Sequence, residues 1–402
     1  MNKKNGRRTS LLILLGLLST SFLTGCWSSI ELNNRSFVRM MLLDKTASGI
    51  ELTLSFPLPN RLIPGQSGGT GELQGKPFTF VSATGDNISE AYRIVQSDLS
   101  RKITFGQTSV IVIGSELAKE GISQVLEFVA REPRFHINAN LFITPGKAKE
   151  LMLTPVIFER FPADILLAYT REHVTVDMTT KDCLAASYYG GDMIIPMLKF
   201  KTITIPSEKQ KQQTWMGTDG AALFRDGKMV QVLNTYEMRG AKWILGKMKD
   251  AEISIPSPTD GKQLSYMVNQ SRSKIRPVLS GDELTFHIEC KADASLIASN
   301  SLIRLQEPGV ERKLSQKLEA MIETRMKDAI ESSKRIGADI FQLSSYLDWH
   351  YPQEWRNRAS HWREEYRSKI KVVPHAFVTI KRLGTTKQPA RFLHPAKVGG
   401  SQ

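Results

Sequence analysis

The 402-residue sequence has few of the residues that mark a catalytic or metal centre. It contains three cysteines and seven histidines, and no two histidines have the spacing that places metal ligands on one helix face. It has no H-E-x-x-H motif and no cysteine pair at zinc-site spacing. Ser271 and Lys274 match a serine–lysine hydrolase spacing, but they lie in a strand pattern without the companion motifs. The sequence therefore predicts no catalytic residue, no metal and no cofactor, and a protein that is not an enzyme.

Long apolar runs are also scarce, because only the amino-terminal Leu11–Leu18 stands out. It follows four basic residues and is too short to cross roughly 30 Å of hydrocarbon as a permanent helix. Leu23-Thr24-Gly25-Cys26 then has the form of a bacterial lipoprotein cleavage box. We expect residues 1–25 to be a signal peptide and Cys26 to carry the lipid anchor. An ordinary secretory leader with an incidental cysteine is the alternative.

The charge is strongly basic, with 54 Lys and Arg against 40 Asp and Glu, or +14. Removing Lys3, Lys4, Arg7 and Arg8 with the leader leaves 14 − 4, about +10. A basic, lipid-tethered chain is attracted to anionic headgroups, so membrane lipid is an expected partner. Export makes nucleic acid, the other common partner of a basic chain, an unexpected one.

The first part of the mature chain, residues 26–194, alternates strand and helix patterns and is predicted as an α/β domain. A helix is expected over Glu116–Arg131 and a strand over His136–Thr144. Residues 57–77 are rich in proline and glycine and are expected to form a mobile loop. The glycines are not a phosphate-binding motif, because no lysine-serine or lysine-threonine pair ends the run.

The rest of the chain changes character. Residues 195–250 are predicted as a small middle domain with a hairpin turn at Arg225–Lys228. Residues 251–384 are predicted as a second α/β domain that contains a long amphipathic helix, Val310–Ile336, ended by Gly337. Two shorter helices are expected over Asp339–Trp349 and Gln353–Tyr366. Residues 385–402 have the composition of a disordered tail.

The fold class that these patterns predict is mixed α/β or α+β. We expect about three lipid-anchored domains, each a β-sheet with packed helices. Cys183 and Cys290 are the remaining cysteines, and a disulfide between them stays open at this stage. Trp355 and Trp362 recur at helical spacing, which is typical of core residues.

An ordered set of short motifs carries a family resemblance along nearly the whole chain. Cys26, Trp27, Glu31 and Leu32 open it, although Ser28 stands where aspartate is usual. The later matches, in chain order, are Gly85, Ile88, Glu90, Ala91, Arg93, Ala118, Gly121, Ile122, Arg131, Pro133, Glu237, Gly240, Trp243, Asp339, Phe341, Pro352, Trp355, Trp362, Tyr366 and Gly384. Asn87, Gly106, Gln342 and Ser344 depart from the pattern. The sequence resembles the Ger(x)C family, the C-subunit lipoproteins of spore germinant receptors.

The resemblance implies three α/β-type domains, no known enzymatic activity and a place on the outer face of the spore inner membrane. It also implies two partners, a multi-helix A subunit and a transporter-like B subunit of a receptor for nutrient germinants. Two other functions remain open from the sequence. One is a solute-binding lipoprotein of an importer, which the unlike halves of the chain disfavour, and the other is an exported envelope enzyme, disfavoured by the missing site.

Overall fold

A computed structural model describes residues 31–58, 76–205, 211–301, 303 and 307–382. The predicted signal peptide, Cys26, Trp27, most of the predicted loop and the predicted tail lie outside these residues. Within them, no helix is both long and apolar enough to cross a bilayer.

The first part of the fold is an eight-stranded mixed sheet with helices on both faces, and we call the sheet and its helices together the first layer. The strand order of this sheet is β10-β9-β8-β7-β6-β2-β3-β4. Strands β2, β6 and β7 run parallel at its centre. They are buried on both faces, as continuous apolar strands require. The strands of this layer are β2 (Met40–Thr46), β3 (Gly49–Pro57), β4 (Phe78–Gly85), β6 (Val110–Gly114), β7 (Asn140–Thr144), β8 (Met193–Ile205), β9 (Lys211–Arg225) and β10 (Lys228–Leu233). The short β1 (Arg35–Phe37) and β5 (Lys102–Thr104) pair separately, in parallel.

Helices cover both faces of this sheet. Four helices pack on one face: α1 (Ile88–Ser97), α2 (Ser115–Glu120), α3 (Ser123–Arg131) and α5 (Thr180–Tyr188). The other face carries α4 (Pro162–Arg171) and a 3-10 turn, Ala148–Leu153.

Two predictions for this layer are wrong in detail. The single helix over Glu116–Arg131 is two helices, because Gly121 adopts a φ of 135° that ends α2. The strand expected from His136 begins only at Asn140. The carbonyls of Ile137 and Ala139 accept from the amides of Lys181 and Thr180, so residues 137–139 are held by the start of α5 and not by a neighbouring strand.

The second layer is a four-stranded sheet with the order β11-β12-β13-β14. Its strands are β11 (Lys249–Pro256), β12 (Gln263–Ser280), β13 (Glu283–Ser299) and β14 (Lys371–Arg382), the last of which pairs with β13 in parallel. The long helix α7 spans Val310–Ile336 and ends at Gly337, which confirms both predicted ends. Leu314, Leu318 and Met326 are fully buried on the face of α7 that packs in this core.

The helices after α7 differ from the prediction. The first begins at Leu343 and not at Asp339, because the Asp339 carboxylate accepts from the amides of Leu343 and Ser344 at its start. The helix expected over Gln353–Tyr366 is divided into α9 and α10 by a 3-10 turn, Ala359–His361. The bounds are α8 (Leu343–His350), α9 (Pro352–Arg358) and α10 (Trp362–Ser368).

Residues 195–250, predicted as a small middle domain, are divided between the two layers. Strands β8, β9 and β10 extend the first sheet. Helix α6 (Thr235–Ile244) buries Met238 and Trp243 in the core of the second layer. The physical reason is that the β9–β10 hairpin is hydrogen-bonded to β8 and so continues the first sheet. The apolar face of α6 instead packs against α7.

The two layers together confirm the predicted mixed α/β class, with several β-sheets and packed helices. The possible disulfide is not formed. Cys183 lies in the core of the first layer and Cys290 in that of the second, and both are free and buried.

Candidate functional site

The motif residues of the first layer do not gather into one site. Cys26 and Trp27 lie outside the described residues, and Glu31 is an exposed residue that precedes a 3-10 turn. Glu90 caps α1, because its Oε2 accepts from the amide of Asp86 at 2.9 Å. Arg93 lies 3.9 Å from the Glu90 carboxylate on the exposed face of the same helix.

Arg131 forms a similar local pair. Its Nε contacts Glu127, one turn earlier on α3, and both side chains are exposed. Exposed ion pairs of this kind contribute little to stability. The motif residues Glu90, Arg93 and Arg131 therefore shape the ends and surfaces of single helices and do not form a common centre.

The motif residues of the second layer do gather. The Trp362 indole Nε1–H donates to Oδ2 of Asp339 at 3.1 Å. The rings of Trp355 and Trp362 meet edge to face, with centroids 5.4 Å apart. Trp362 is buried and Trp355 packs at the edge of the same core. Three motif residues from one stretch of the sequence thus form one contact group.

This group is joined to the first layer by Asp192, which lies just before β8. Oδ2 of Asp192 accepts from the backbone amide of Asp339 at 2.8 Å. Oδ1 accepts from the amide of Asp226 at 3.2 Å and from the Arg363 guanidinium at 3.2 Å. One carboxylate therefore connects both layers.

Arg363 makes the connection from the other side. Its Nη2 also donates to the Asp226 carboxylate at 2.7 Å, and its Nη1 donates to the carbonyl of Gly337 at 3.1 Å. Arg363 thus holds the β9–β10 turn and the end of α7 together. We call Asp192, Asp226, Asp339, Trp362 and Arg363 the interlayer junction.

The local sequence explains how the first layer presents its part of the junction. Gly191 and Gly227 both have positive φ, at 75° and 70°, where a side chain would be strained. The Gly227 amide donates to the Gly191 carbonyl at 2.9 Å. A Cβ on Gly191 would lie 2.9 Å from the Gly227 nitrogen, so the close approach of the two turns requires glycine there.

An aromatic contact continues the junction towards the surface. The Tyr189 hydroxyl donates to Oδ2 of Asp348 at 3.0 Å, and its ring lies 5.8 Å from that of Trp355. Tyr189 belongs to the first layer, and Asp348 and Trp355 belong to the second. The layers are therefore connected by hydrogen bonds, two ion pairs of Arg363 and aromatic packing at one place.

Burial is the main influence on the pKa values of Asp192 and Asp339. It raises the pKa of Asp192 to about 6, although the Arg363 guanidinium and two backbone amides favour the ionised form. Burial also raises the pKa of Asp339, against the hydrogen bonds from Ser344, Leu343 and Trp362. The junction can therefore take up a proton, and it offers hydrogen bonds and charge pairing and no activated nucleophile.

Sequence reasoning found Asp339, Trp355 and Trp362 but missed Asp192, Asp226 and Arg363. The turn at Asp226 and Gly227 was predicted, yet nothing in its sequence indicates a partner more than 100 residues away. The Gly190-Gly191-Asp192 run was a usable signal for a special turn. Among the described residues, no group of three or more His, Cys, Asp and Glu side chains could hold a metal ion.

A second motif, on α6, has a packing role. Glu237 caps the helix together with Asn234 and accepts from the Ser332 hydroxyl of α7 at 2.9 Å. A Cβ on Gly240 would lie 2.1 Å from the carbonyl oxygen of Arg325, also on α7. Glycine therefore permits the close crossing of the two helices, and the fully buried Trp243 fills the core beside it.

Two family models match the chain in order. The spore germination protein N-terminal domain matches residues 28–200, and the spore germination B3/GerAC like, C-terminal model matches residues 219–384.

Relatives from Bacillus subtilis (strain 168) include the putative spore germination protein YfkR, 24% identical over 94% of this chain and 98% of that protein. Spore germination protein KC, from the same organism, is 25% identical over 96% of this chain and 98% of its own length. The fold is similar to the crystal structure of the GerBC protein, with a TM-score of 0.53 and 19% identity over 85% of this chain and 98% of that chain.

Proposed function

Because the chain belongs to the spore germination B3/GerAC-like family, we propose that it is the C subunit of a nutrient germinant receptor. The observation that carries this proposal is the ordered match of both family models, which together cover residues 28–200 and 219–384. The similarity to two spore germination proteins extends over nearly their full length. The chain acts in germination as a docking subunit and catalyses no reaction.

The interlayer junction suits a docking role. A subunit that contacts two membrane partners needs surfaces held in a fixed relative orientation. Asp192 and Arg363 supply this by joining the β9–β10 turn, the end of α7 and the start of α8. The Asp192–Asp339 hydrogen bond is buried and the Arg363 bonds are partly buried or exposed, and charge-assisted bonds of this kind favour one arrangement over others.

The partners in this proposal are the A and B membrane subunits of the receptor. An acyl group on Cys26 anchors the chain to the outer face of the spore inner membrane. The first element among the described residues is the 3-10 turn Leu32–Asn34, only a few residues after Cys26, so this part of the chain lies close to the membrane surface. The basic charge strengthens this attachment to anionic lipid.

Deletion in the source organism tests the receptor assignment. Spores without the chain should lose the response to one nutrient class and keep germination by receptor-independent agents. The wild-type gene should restore the response, and a Cys26→Ala gene should not, because the chain is then released or retains its leader. Normal germination of the deletion strain with every nutrient, with no paralogous receptor present, would show that the assignment is wrong.

Co-purification tests the partners directly. The tagged full chain, extracted from spore membranes in mild detergent, should retain the A and B subunits, identified by mass spectrometry. Arg363→Ala is an informative variant, because it removes the bond to Asp192 without touching the anchor. We expect it to lower the recovery of the partners. Arg131→Ala, which removes the exposed Arg131–Glu127 ion pair, is the control and should leave the recovery unchanged.

A further inference from the structure

A short segment of the first layer carries large apolar side chains on its surface. Leu153, Ile157 and Phe158 are 72%, 50% and 89% exposed, and they lie within six residues of one another. Single exposed apolar residues are ordinary on protein surfaces, whereas a cluster marks a contact with another protein or a membrane. We call this segment the 153–158 loop.

The base of this loop is fixed in the fold. Thr154 is buried, and its hydroxyl donates to the carbonyl of Leu151 at 2.6 Å. Leu151 is itself fully buried in the core beneath the sheet. On the far side, Pro162 begins α4. The apolar side chains are therefore held outward by a structured base.

The residues that follow the loop contact an early part of the described chain. The Arg39 guanidinium is 5.5 Å from the ring centre of Phe161, and its Nη2 lies 2.7 Å from the Asp164 carboxylate. Arg39 is 13 residues after Cys26. A fully extended chain of 13 residues is at most about 45 Å long. An acyl group on Cys26 thus keeps this end of the first layer within reach of the bilayer.

We propose that the 153–158 loop inserts Leu153, Ile157 and Phe158 into the outer interface of the bilayer, as a second membrane contact beside the acyl anchor. This rests on the anchor at Cys26 in the proposed function. The three side chains have no hydrogen-bonding groups to satisfy, which suits the boundary of the hydrocarbon. The exposed Arg160, two residues further on, suits anionic headgroups.

A bilayer fits these features better than a protein partner. Apolar side chains that project from a fixed loop base can insert into the lipid interface without a complementary pocket, whereas a protein partner would have to provide one. The basic charge of the mature chain and the short tether both direct the loop towards anionic lipid. The contact would fix the orientation of the first layer on the membrane, and so hold the surfaces that dock on the receptor in one orientation.

The test uses the full acylated chain in vesicles of phosphatidylglycerol and phosphatidylcholine. Phe158→Cys is labelled with an environment-sensitive fluorophore. Cys183 and Cys290 are buried and do not compete for the label. We expect emission to rise about twofold or more on vesicle binding, and spin-labelled lipid to quench it, because interfacial side chains lie roughly 5–10 Å deep. Ile157→Cys provides an independent second position.

Phe377→Cys is the matched control, because Phe377 is 51% exposed on β14 of the second layer. Its probe should stay in water. Vesicle flotation, run in parallel, reports the anchor separately. A chain that floats while the probes at 157 and 158 stay in water overturns the inference and leaves the anchor intact. Shielding that requires the membrane subunits, or equal shielding at 377, also overturns it, and a chain that does not float overturns the anchor and the inference together.

Discussion

Trp362 donates its indole N–H to Oδ2 of Asp339 at 3.1 Å in the interior of the second layer. The same ring meets Phe286 of β13 edge to face, with centroids 6.3 Å apart. One side chain therefore fixes the start of α8 through Asp339 and packs α10 on the sheet through Phe286. This double role gives a physical reason for the presence of both residues in the family motif.

Trp362→Ala should destabilise the protein by about 3–5 kcal/mol, because it removes a buried aromatic side chain and leaves a cavity. Chemical unfolding of the full chain in detergent micelles, followed by circular dichroism, measures the loss. Trp362→Phe keeps most of the packing and removes only the N–H donor, so it should cost about 1–3 kcal/mol. A Trp362→Ala protein with normal stability and abundance but no germination response would contradict a structural role.

Asp192 should make the junction sensitive to pH. Burial raises its pKa in the folded protein to about 6, so the folded state binds more protons than the unfolded state between about pH 4 and pH 6. Stability from this group therefore decreases as the pH rises through that window and is constant above it. The expected loss is on the order of 2–3 kcal/mol.

Asp192→Asn isolates this effect, because the amide resembles the protonated carboxyl and does not titrate. The free energy of unfolding of wild type minus that of the variant should decrease from pH 4 to pH 7. Contributions of all other titrating groups largely cancel in this difference. A difference that is flat over the window, or that increases with pH, would show that the Arg363 ion pair outweighs burial.

Gly240→Ala should separate α6 from α7. The added Cβ would lie 2.1 Å from the Arg325 carbonyl oxygen, an atom of helix backbone that cannot move away alone. We expect a loss of about 1–3 kcal/mol, as for other overpacked sites. Gly217→Ala is the matched control, since its Cβ would meet only the Lys199 side chain at an ordinary 3.6 Å. Equal melting temperatures for the two variants would contradict the close crossing.

Much of the fold could be predicted from local pattern. The long helix Val310–Ile336 and its end at Gly337 follow from apolar periodicity and a terminal glycine, which act within a few positions. The divided helix after Ala118 was missed because the apolar pattern continues through Gly121 while its backbone does not. The placement of β8 to β10 on the first sheet was missed for another reason: their sequence pattern is the same whether they extend an existing sheet or form a separate one.

The candidate site could be predicted only in part. Asp339 and Trp362 lie in one stretch of sequence and belong to one motif, so they were found together. Asp192 and Arg363 are 171 residues apart, and their pairing depends on how one layer docks on the other. Such contacts are set by the assembled cores and leave no periodic signal in a single sequence.

The ends of the predicted 57–77 loop are joined, which makes the loop replaceable. The amide of Leu58 donates to the carbonyl of Pro77 at 2.8 Å, directly beyond the last β3–β4 pair, Pro57 and Phe78. A short Gly-Ser linker in place of residues 59–76 would suit this geometry, because such linkers are flexible and the two ends already lie together.

We expect the shortened chain to fold with a stability within about 1 kcal/mol of wild type, because closure free energy depends only weakly on loop length. Thermal unfolding and membrane abundance measure this. The comparison is a chain in which Leu153, Ile157 and Phe158 are each replaced by Ser, because it keeps the buried Thr154 and should preserve folding while it weakens vesicle contact. Loss of folded protein on replacement of residues 59–76 would show that this segment contributes to the core of the first layer.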